Sequence, residues 1–452
     1  MRPRQSLRNL VGQAGFLVGL FVGCIACCIC QVAWSAESIA TRPNIVLIVS
    51  DDQAWTDYGF MGHPQIKTPH LDRLAADSLT FRRGYVPSSL CCPSLATILT
   101  GRYPHEHKIT SNDPPMLPGL SGKAFQESDA FRLGRERMNQ HMQAVATLPG
   151  LLKEHGYLTL QTGKFWQGHY SHGGFTHGMT RGERHGDEGL QIGRKTLKPI
   201  EDFIDMASEH KRPWMVWYAP MLPHDPHNAP AKYLDRTKAL TSSETVAKYW
   251  ANVEWFDQTV GDLMGVLEAK GLSKDTLVVY VTDNGWIQDP EQSKYAAKSK
   301  QSPYEGGVRT PIMLRWPSKI LAKESDDFAH SIDLMPTVLK AVGIEVPKDL
   351  PGLDLLDREA TGSRKIVFGE CFTHNAKDLD VPGENLRWRW AIQSNWKLIV
   401  PNPSIEKEGI VELYDLAADP QEEQNLATDY PKVVEELGTA IDNWWPACTP
   451  SR

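Results

Sequence analysis

Residues 44–50 read Asn-Ile-Val-Leu-Ile-Val-Ser and run directly into Asp51-Asp52. An unbroken run of β-branched and aliphatic residues, with no polar alternation, predicts a strand buried on both faces, as in a parallel sheet. Residues 276–282 (Thr-Leu-Val-Val-Tyr-Val-Thr) and 214–218 (Trp-Met-Val-Trp-Tyr) repeat the pattern, and residues 157–161 give a shorter version. Helical patterns alternate with these strands. The clearest spans 245–270 and stops at Gly271. Strand–helix alternation of this kind implies an α/β domain with helices on both faces of the sheet.

Two stretches break the alternation. Residues 111–143 are polar with scattered Pro and Met, and residues 166–190 are rich in Gly and His. Both read as irregular insertions near strand ends, where function concentrates in such folds. The histidines of the second stretch (His169, His172, His177, His185) fit no tight zinc spacing. Beyond Pro351 the character changes. Residues 365–368, 390–393 and 396–400 read as short strands and 431–445 as a helix, which together predict a small antiparallel sheet with one covering helix.

The N-terminus has its own logic. Arg2, Arg4 and Arg8 precede an apolar run over 15–34 and a small-residue stretch over 33–36. This is the layout of a signal peptide over residues 1–36, so the chain is expected to be exported to a periplasmic or extracellular space. An uncleaved N-terminal anchor is the alternative, because the run nearly spans a bilayer. Four of the eight cysteines lie in this leader. The remainder (Cys91, Cys92, Cys371, Cys448) are too few for a disulfide scaffold, although Cys371 and Cys448 are candidates to pair. A net charge of −7 argues against nucleic acid as a partner. It does not exclude an anionic substrate, because a local cationic site overrides a global field.

Chemistry concentrates where the strands end. Asp51-Asp52 follows the first strand, and Asp283-Asn284-Gly285 follows the strand at 276–282. Adjacent carboxylates are costly to bring together without a cation, and a hard divalent ion with oxygen ligands is the natural solution. A solvated loop remains the alternative for the pair taken alone. Thr162-Gly163-Lys164 follows a third strand and Pro223-His224-Asp225-Pro226-His227 a fourth. Residues 91–102 read Cys-Cys-Pro-Ser-Leu-Ala-Thr-Ile-Leu-Thr-Gly-Arg, and residues 300–311 read Lys-Gln-Ser-Pro-Tyr-Glu-Gly-Gly-Val-Arg-Thr-Pro.

In this order, these motifs resemble the type I sulfatases of the alkaline phosphatase superfamily, over about residues 43–445. The resemblance implies a large mixed, mostly parallel sheet sandwiched by helices over 43–350. A C-terminal α+β subdomain would follow over 351–452. It implies that Cys91 is oxidised by a formylglycine-generating maturase, and that the hydrated aldehyde is the nucleophile. A calcium or magnesium ion would be held by Asp51, Asp52, Cys91, Asp283 and Asn284. Lys164, Lys300 and His224 would face the sulfate of a sulfated small molecule or glycan, while Glu305, Arg309 and Asp333 position loops. Leu95 stands where the family pattern carries arginine, and Trp166 where it carries a histidine. His169, three residues on, is the nearest replacement for that histidine. Two other readings stay open at this point: a phosphodiesterase or phosphonate hydrolase on the same fold, and a non-catalytic relative that binds sulfated glycans.

Overall fold

The structure is a computed structural model and describes residues 42–446. The expected leader over 1–36, and Cys448 of the expected cysteine pair, lie outside the described residues. No helix among the described residues is long and apolar enough to cross a membrane.

Eight strands form the main sheet: β1 (Asn44–Ser50), β2 (Leu79–Tyr85), β3 (Leu158–Gly163), β4 (His177–Gly178), β5 (Trp214–Ala219), β6 (Thr276–Thr282), β7 (Arg309–Arg315) and β8 (Lys323–His330). Their order is β4-β3-β5-β1-β6-β7-β2-β8. Only β7 runs antiparallel to its neighbours β6 and β2, so the sheet is mixed and mostly parallel. Every residue of β5 and β6 is buried, as their unbroken apolar sequences require.

Alternate side chains of β1 feed two apolar layers. Ile45, Leu47 and Val49 pack with the helices Cys91–Thr100, Leu148–Glu154 and Leu334–Ala341. Val46 and Ile48 pack with Pro69–Ala76, Lys198–Glu209 and Glu244–Ala269 on the other side. Each such side chain, fully buried, contributes about 1.5–3 kcal/mol, and these two layers fix the sheet that positions the site.

A second sheet, order β12-β11-β10-β9, contains β9 (Ile366–Phe372), β10 (Leu386–Gln393), β11 (Trp396–Pro401) and β12 (Glu412–Asp415), all antiparallel. One face takes Leu437 and Ile441 of the helix Pro431–Trp444. The other packs Trp390, Ile392 and Ile399 against Tyr85 and Phe328 of the main sheet and Val308 just before β7.

One expectation fails locally. Residues 111–143 are not irregular throughout, because Asp129–Gln143 is a helix. Ser128 caps it by accepting the Phe131 N–H at 3.2 Å. Its buried positions, Phe131, Gly134, Met138, Asn139, His141 and Met142, recur at helical spacing. The stripe is narrow and includes a glycine and a histidine, so polarity masked it.

Candidate active site

Strand register builds the site. Ser50 is level with Thr282, so Asp51 and Asp283 leave the sheet side by side. Gly163 is level with Ala219, and Asp51 bridges to Pro223. The residues after β1, β3, β5 and β6 therefore meet at one carboxyl edge, where ligands bind in open α/β sheets. The helix Cys91–Thr100 starts at the same edge after β2, and the loop carrying Lys300 enters it before β7. Asp52 has φ 63°, a left-handed conformation that costs a non-glycine residue about 1–2 kcal/mol. The strain turns two successive carboxylates into one pocket.

Apart from His169, the residues expected at the site converge there. The Lys300 ammonium donates to both Asp52 oxygens at 2.7 Å and lies 3.1 Å from Cys91 Sγ. Lys164 donates to Asp51 Oδ1 at 2.7 Å, and its ammonium is 3.9 Å from Asp283 Oδ2. Asn284 Nδ2 donates to Asp52 Oδ1 at 2.6 Å, and His224 Nε2 is 3.4 Å from Asp52 Oδ2. Asp283 Oδ1 accepts the backbone N–H groups of Asp52 and Asn284 at 3.1 and 2.6 Å. Asp51, Asp52, Cys91 and His224 bring their ligating atoms within 4.8 Å of one another.

The oxygens left over test whether a cation fits. Asp51 Oδ2, Asp283 Oδ2 and Asn284 Oδ1 are buried without a hydrogen-bond partner. A buried carboxylate oxygen without a partner is costly, and three hard oxygens on two adjacent strand ends are the donor set that Ca²⁺ or Mg²⁺ takes. The residues present therefore fit such an ion. The electrostatics agree. Burial, and then the charge of Asp51, push the Asp283 carboxyl well above the usual carboxylate range. Burial also opposes ionisation of Asp52, but the charges of Lys300, His224 and Lys164 outweigh it and hold that carboxyl low.

Cys91, not Cys92, faces this pocket. Burial pushes the Cys91 thiol far above its ordinary range despite Lys164 and Lys300 nearby. An unmodified thiol here is protonated and a poor nucleophile. Cys92 points to the other side, where its N–H donates to Asn112 Oδ1 at 2.9 Å and its sulfur accepts from Gln167 Nε2 at 3.4 Å. Leu95, on the Cys91–Thr100 helix, and Trp166 are both buried in the apolar layer that this helix joins.

His169 does not reach the site. Its Nδ1 accepts the Ser171 N–H at 3.3 Å, capping a short turn, and its ring lies against Tyr170. The four histidines of the stretch form no metal cluster among the described residues. His185 is the one whose ring comes near the site, 6.0 Å from that of His224. Arg184 beside it holds Asp113 through two hydrogen bonds, at 2.8 and 2.7 Å. The two stretches that interrupt the sequence pattern thus join at the mouth of the pocket. No local motif marks these three residues; only the setting of both insertions near strand ends hints at them.

A mixed sheet whose carboxyl edge gathers three carboxylates, two buried lysines and a helix-borne cysteine defines a hydrolase of the alkaline phosphatase-like superfamily. The sequence profile described as Sulfatase matches residues 43–344, and that of the N-sulphoglucosamine sulphohydrolase C-terminal region matches 295–444. The chain belongs to the sulfatase family and is a sulfuric ester hydrolase. It is 28% identical over 404 residues to N-acetylgalactosamine-6-sulfatase of Mus musculus, covering 78% of this chain and 73% of that protein. It is 29% identical over 373 residues to arylsulfatase A of Homo sapiens, covering 70% and 68%. It is 22% identical over 510 residues to N-acetylgalactosamine-6-O-sulfatase of Bacteroides thetaiotaomicron, covering 89% and 93%. Among solved structures, a protein in complex with its substrate D-glucosamine-2-N,6-O-disulfate shares the fold. Its TM-score is 0.65 at 20% identity, covering 90% of this chain and 98% of that one.

Proposed function

We propose that the protein is an exported sulfatase that releases sulfate from a sulfated carbohydrate, using Cys91 as formylglycine and one Ca²⁺ or Mg²⁺. Residues 43–350 would carry the chemistry and 351–452 would buttress its edge. The observation that carries this reading is the set of three unpartnered buried oxygens on Asp51, Asp283 and Asn284, beside a Cys91 thiol contacted by Lys300. Asp51, Asp52, Asp283, Asn284 and residue 91 would hold the ion, which supplies Lewis acidity at the sulfate and the nucleophile. The formylglycine hydrate supplies an oxygen nucleophile in place of the protonated thiol.

The charge balance favours sulfate. Three carboxylates face two ammoniums in the pocket, so a divalent ion leaves a single positive charge. A sulfate monoester carries one negative charge and neutralises it, whereas a phosphate monoester dianion overshoots; a singly charged phosphodiester would balance equally, and it is the sulfatase profile that favours sulfate over it. Lys164 and Lys300 stabilise charge on the sulfuryl oxygens, and His224, whose Nδ1 is 2.8 Å from Asp225 Oδ1, is held to face the leaving oxygen. Carbohydrate substrates are supported by the names of the relatives, which include two N-acetylgalactosamine-6-sulfatases.

The test uses protein from its own host, or produced with a maturase that accepts Leu95. The peptide containing Cys91 should carry the aldehyde mass, and sulfate release from sulfated sugars should stop in Cys91→Ala. An intact thiol with no sulfate release in the native protein would favour the non-catalytic glycan-binding reading.

A further inference from the structure

The residue in the family's histidine position is Trp166, and the nearest histidine in sequence caps a turn. The structure brings a different one beside Trp166. His185 sits edge-on to Trp166, with ring centroids 4.8 Å apart, and its ring is 6.0 Å from that of His224. Its loop is fixed rather than draped. The Phe165 N–H donates to the His185 carbonyl at 3.1 Å, which ties the loop to the residue after Lys164. Gly186, at φ 135°, lets the backbone close on β3; a Cβ there would fall 2.4 Å from the Gly163 carbonyl oxygen. Asp187 accepts N–H groups from Arg181, Gly182 and Glu183, which closes the turn.

The neighbour of His185 decides what its ring can do. Arg184 Nη1 lies 2.6 Å from His185 Nε2. A guanidinium only donates, so Nε2 must accept, and the remaining proton sits on Nδ1. The fork of Arg184 is itself set by Asp113 and lies over the Trp166 ring at 4.4 Å. Nδ1 is paired with no protein group among the described residues, and it is absent from the polar atoms sealed away from solvent. Burial, and then the charges of Lys164 and Arg184, push this imidazole down to about 2, in keeping with a ring that stays neutral.

We propose that His185 fills the place that Trp166 leaves empty, as a neutral imidazole whose Nδ1–H donates to an oxygen of the bound sulfate group. Arg184 and Asp113 are positioning residues that fix its tautomer. The inference rests on the sulfatase reading above. It assigns the histidine a different task from proton acceptance, because Nε2 already accepts from Arg184 and Nδ1 carries the proton. A donor set in advance toward developing sulfuryl charge needs no reorganisation. The substrate group it recognises is the sulfate common to all substrates.

The experiment combines long-range ¹H–¹⁵N spectra of the histidine side chains in the metal-loaded protein with titration of inorganic sulfate. His185 should show the neutral Nδ1–H tautomer from pH 8 to pH 5, and its Nδ1 proton should move on adding sulfate. His185→Ala should weaken sulfate binding about tenfold, the worth of one hydrogen bond to a charged group. His185→Asn, whose amide N–H overlays Nδ1–H, should restore most of that loss. Arg184→Lys keeps a charge beside Asp113 but lacks the fork, and should give a mixture of tautomers. Three results would overturn the proposal: a His185 ring that titrates between pH 5 and 8, an Nε2–H tautomer, or unchanged sulfate affinity in His185→Ala. If wild-type protein neither binds sulfate nor releases it, the sulfatase reading fails and takes the proposal with it. If wild type binds sulfate and the His185 variants match it, the proposal alone fails.

Discussion

Two of the buried charge clusters among the described residues are built from the same residue types and finished differently. Where the two sheets meet, Lys397 is fully buried between Glu305 and Glu422, at 3.1 and 2.9 Å. Around it, Glu305 Oε2 accepts from the Tyr85 hydroxyl at 3.2 Å and Arg309 lies 3.5 Å away. The Glu305 N–H donates to Glu422 Oε2 at 2.6 Å. Two cations meet two carboxylates; Glu422 Oε1 makes no hydrogen bond but lies 2.9 Å from the Lys397 ammonium, so the charges balance within the cluster. At the carboxyl edge two lysines meet three carboxylates, and oxygens of Asp51, Asp283 and Asn284 remain open. The first arrangement holds two sheets together. The second is unfinished as protein and is completed by a cation and an anionic substrate. Burial of charge alone does not mark a functional site; burial of unbalanced charge does.

Removing a partner should therefore cost most where the cluster is closed. Lys397→Met leaves Glu305 and Glu422 facing each other in the interior, and should lower unfolding free energy by about 3–5 kcal/mol in denaturant titrations. A variant as stable as wild type would break the comparison.

At the open cluster the sign should invert. Asp283→Asn keeps an acceptor for the N–H groups of Asp52 and Asn284 but removes a carboxylate that Asp51 repels. In chelator-treated protein it should be stabilised, by about 1 kcal/mol, while sulfate release is lost. Thermal melts with and without calcium check the first half, and a sulfate-release assay checks the second. A chelator-treated variant that melts below wild type would show the open cluster to be structural.

A smaller effect lies just past the Cys91 helix. His107 is buried; its Nδ1 accepts the Ile109 N–H at 3.1 Å and its Nε2 lies 3.2 Å from Thr97 Oγ1. Burial, and then the charge of His105, lower it from 6.5 to about 3. The folded ring resists a proton that the unfolded ring accepts. Stability is thus intact above pH 6.5 and is lost as pH falls from there toward about 3. Between pH 6.5 and 5.5 the loss should be about 1 kcal/mol, and His107→Gln should flatten that part of the stability–pH curve. An unchanged slope would show that the ring is not held neutral.

What the sequence revealed follows from how local each signal is. The strands and the residues directly after them were legible, because an unbroken apolar run and its polar stop lie within about ten residues. Asp51, Asp52, Lys164, Asp283 and Asn284 all belong to that class, and register alone then brings them together. The helix Asp129–Gln143 was masked because its buried stripe carries Gly134 and His141 among polar neighbours. His185 was hidden for a different reason. Its setting comes from Arg184 and from Asp113, which lies 71 residues from Arg184 in sequence, so adjacency pointed to His169 instead. Side-chain pairing between two insertions leaves no periodic trace in a sequence.

The claim that the open oxygens of Asp51, Asp283 and Asn284 are a cation site is tested most directly by calorimetric titration of calcium into chelator-treated protein. Wild type should bind one ion per chain, and Asp283→Asn and Asp51→Asn, shown to be folded, should bind none under the same conditions. A folded wild type that takes up no calcium or magnesium, or variants that bind as well as it does, would contradict the account.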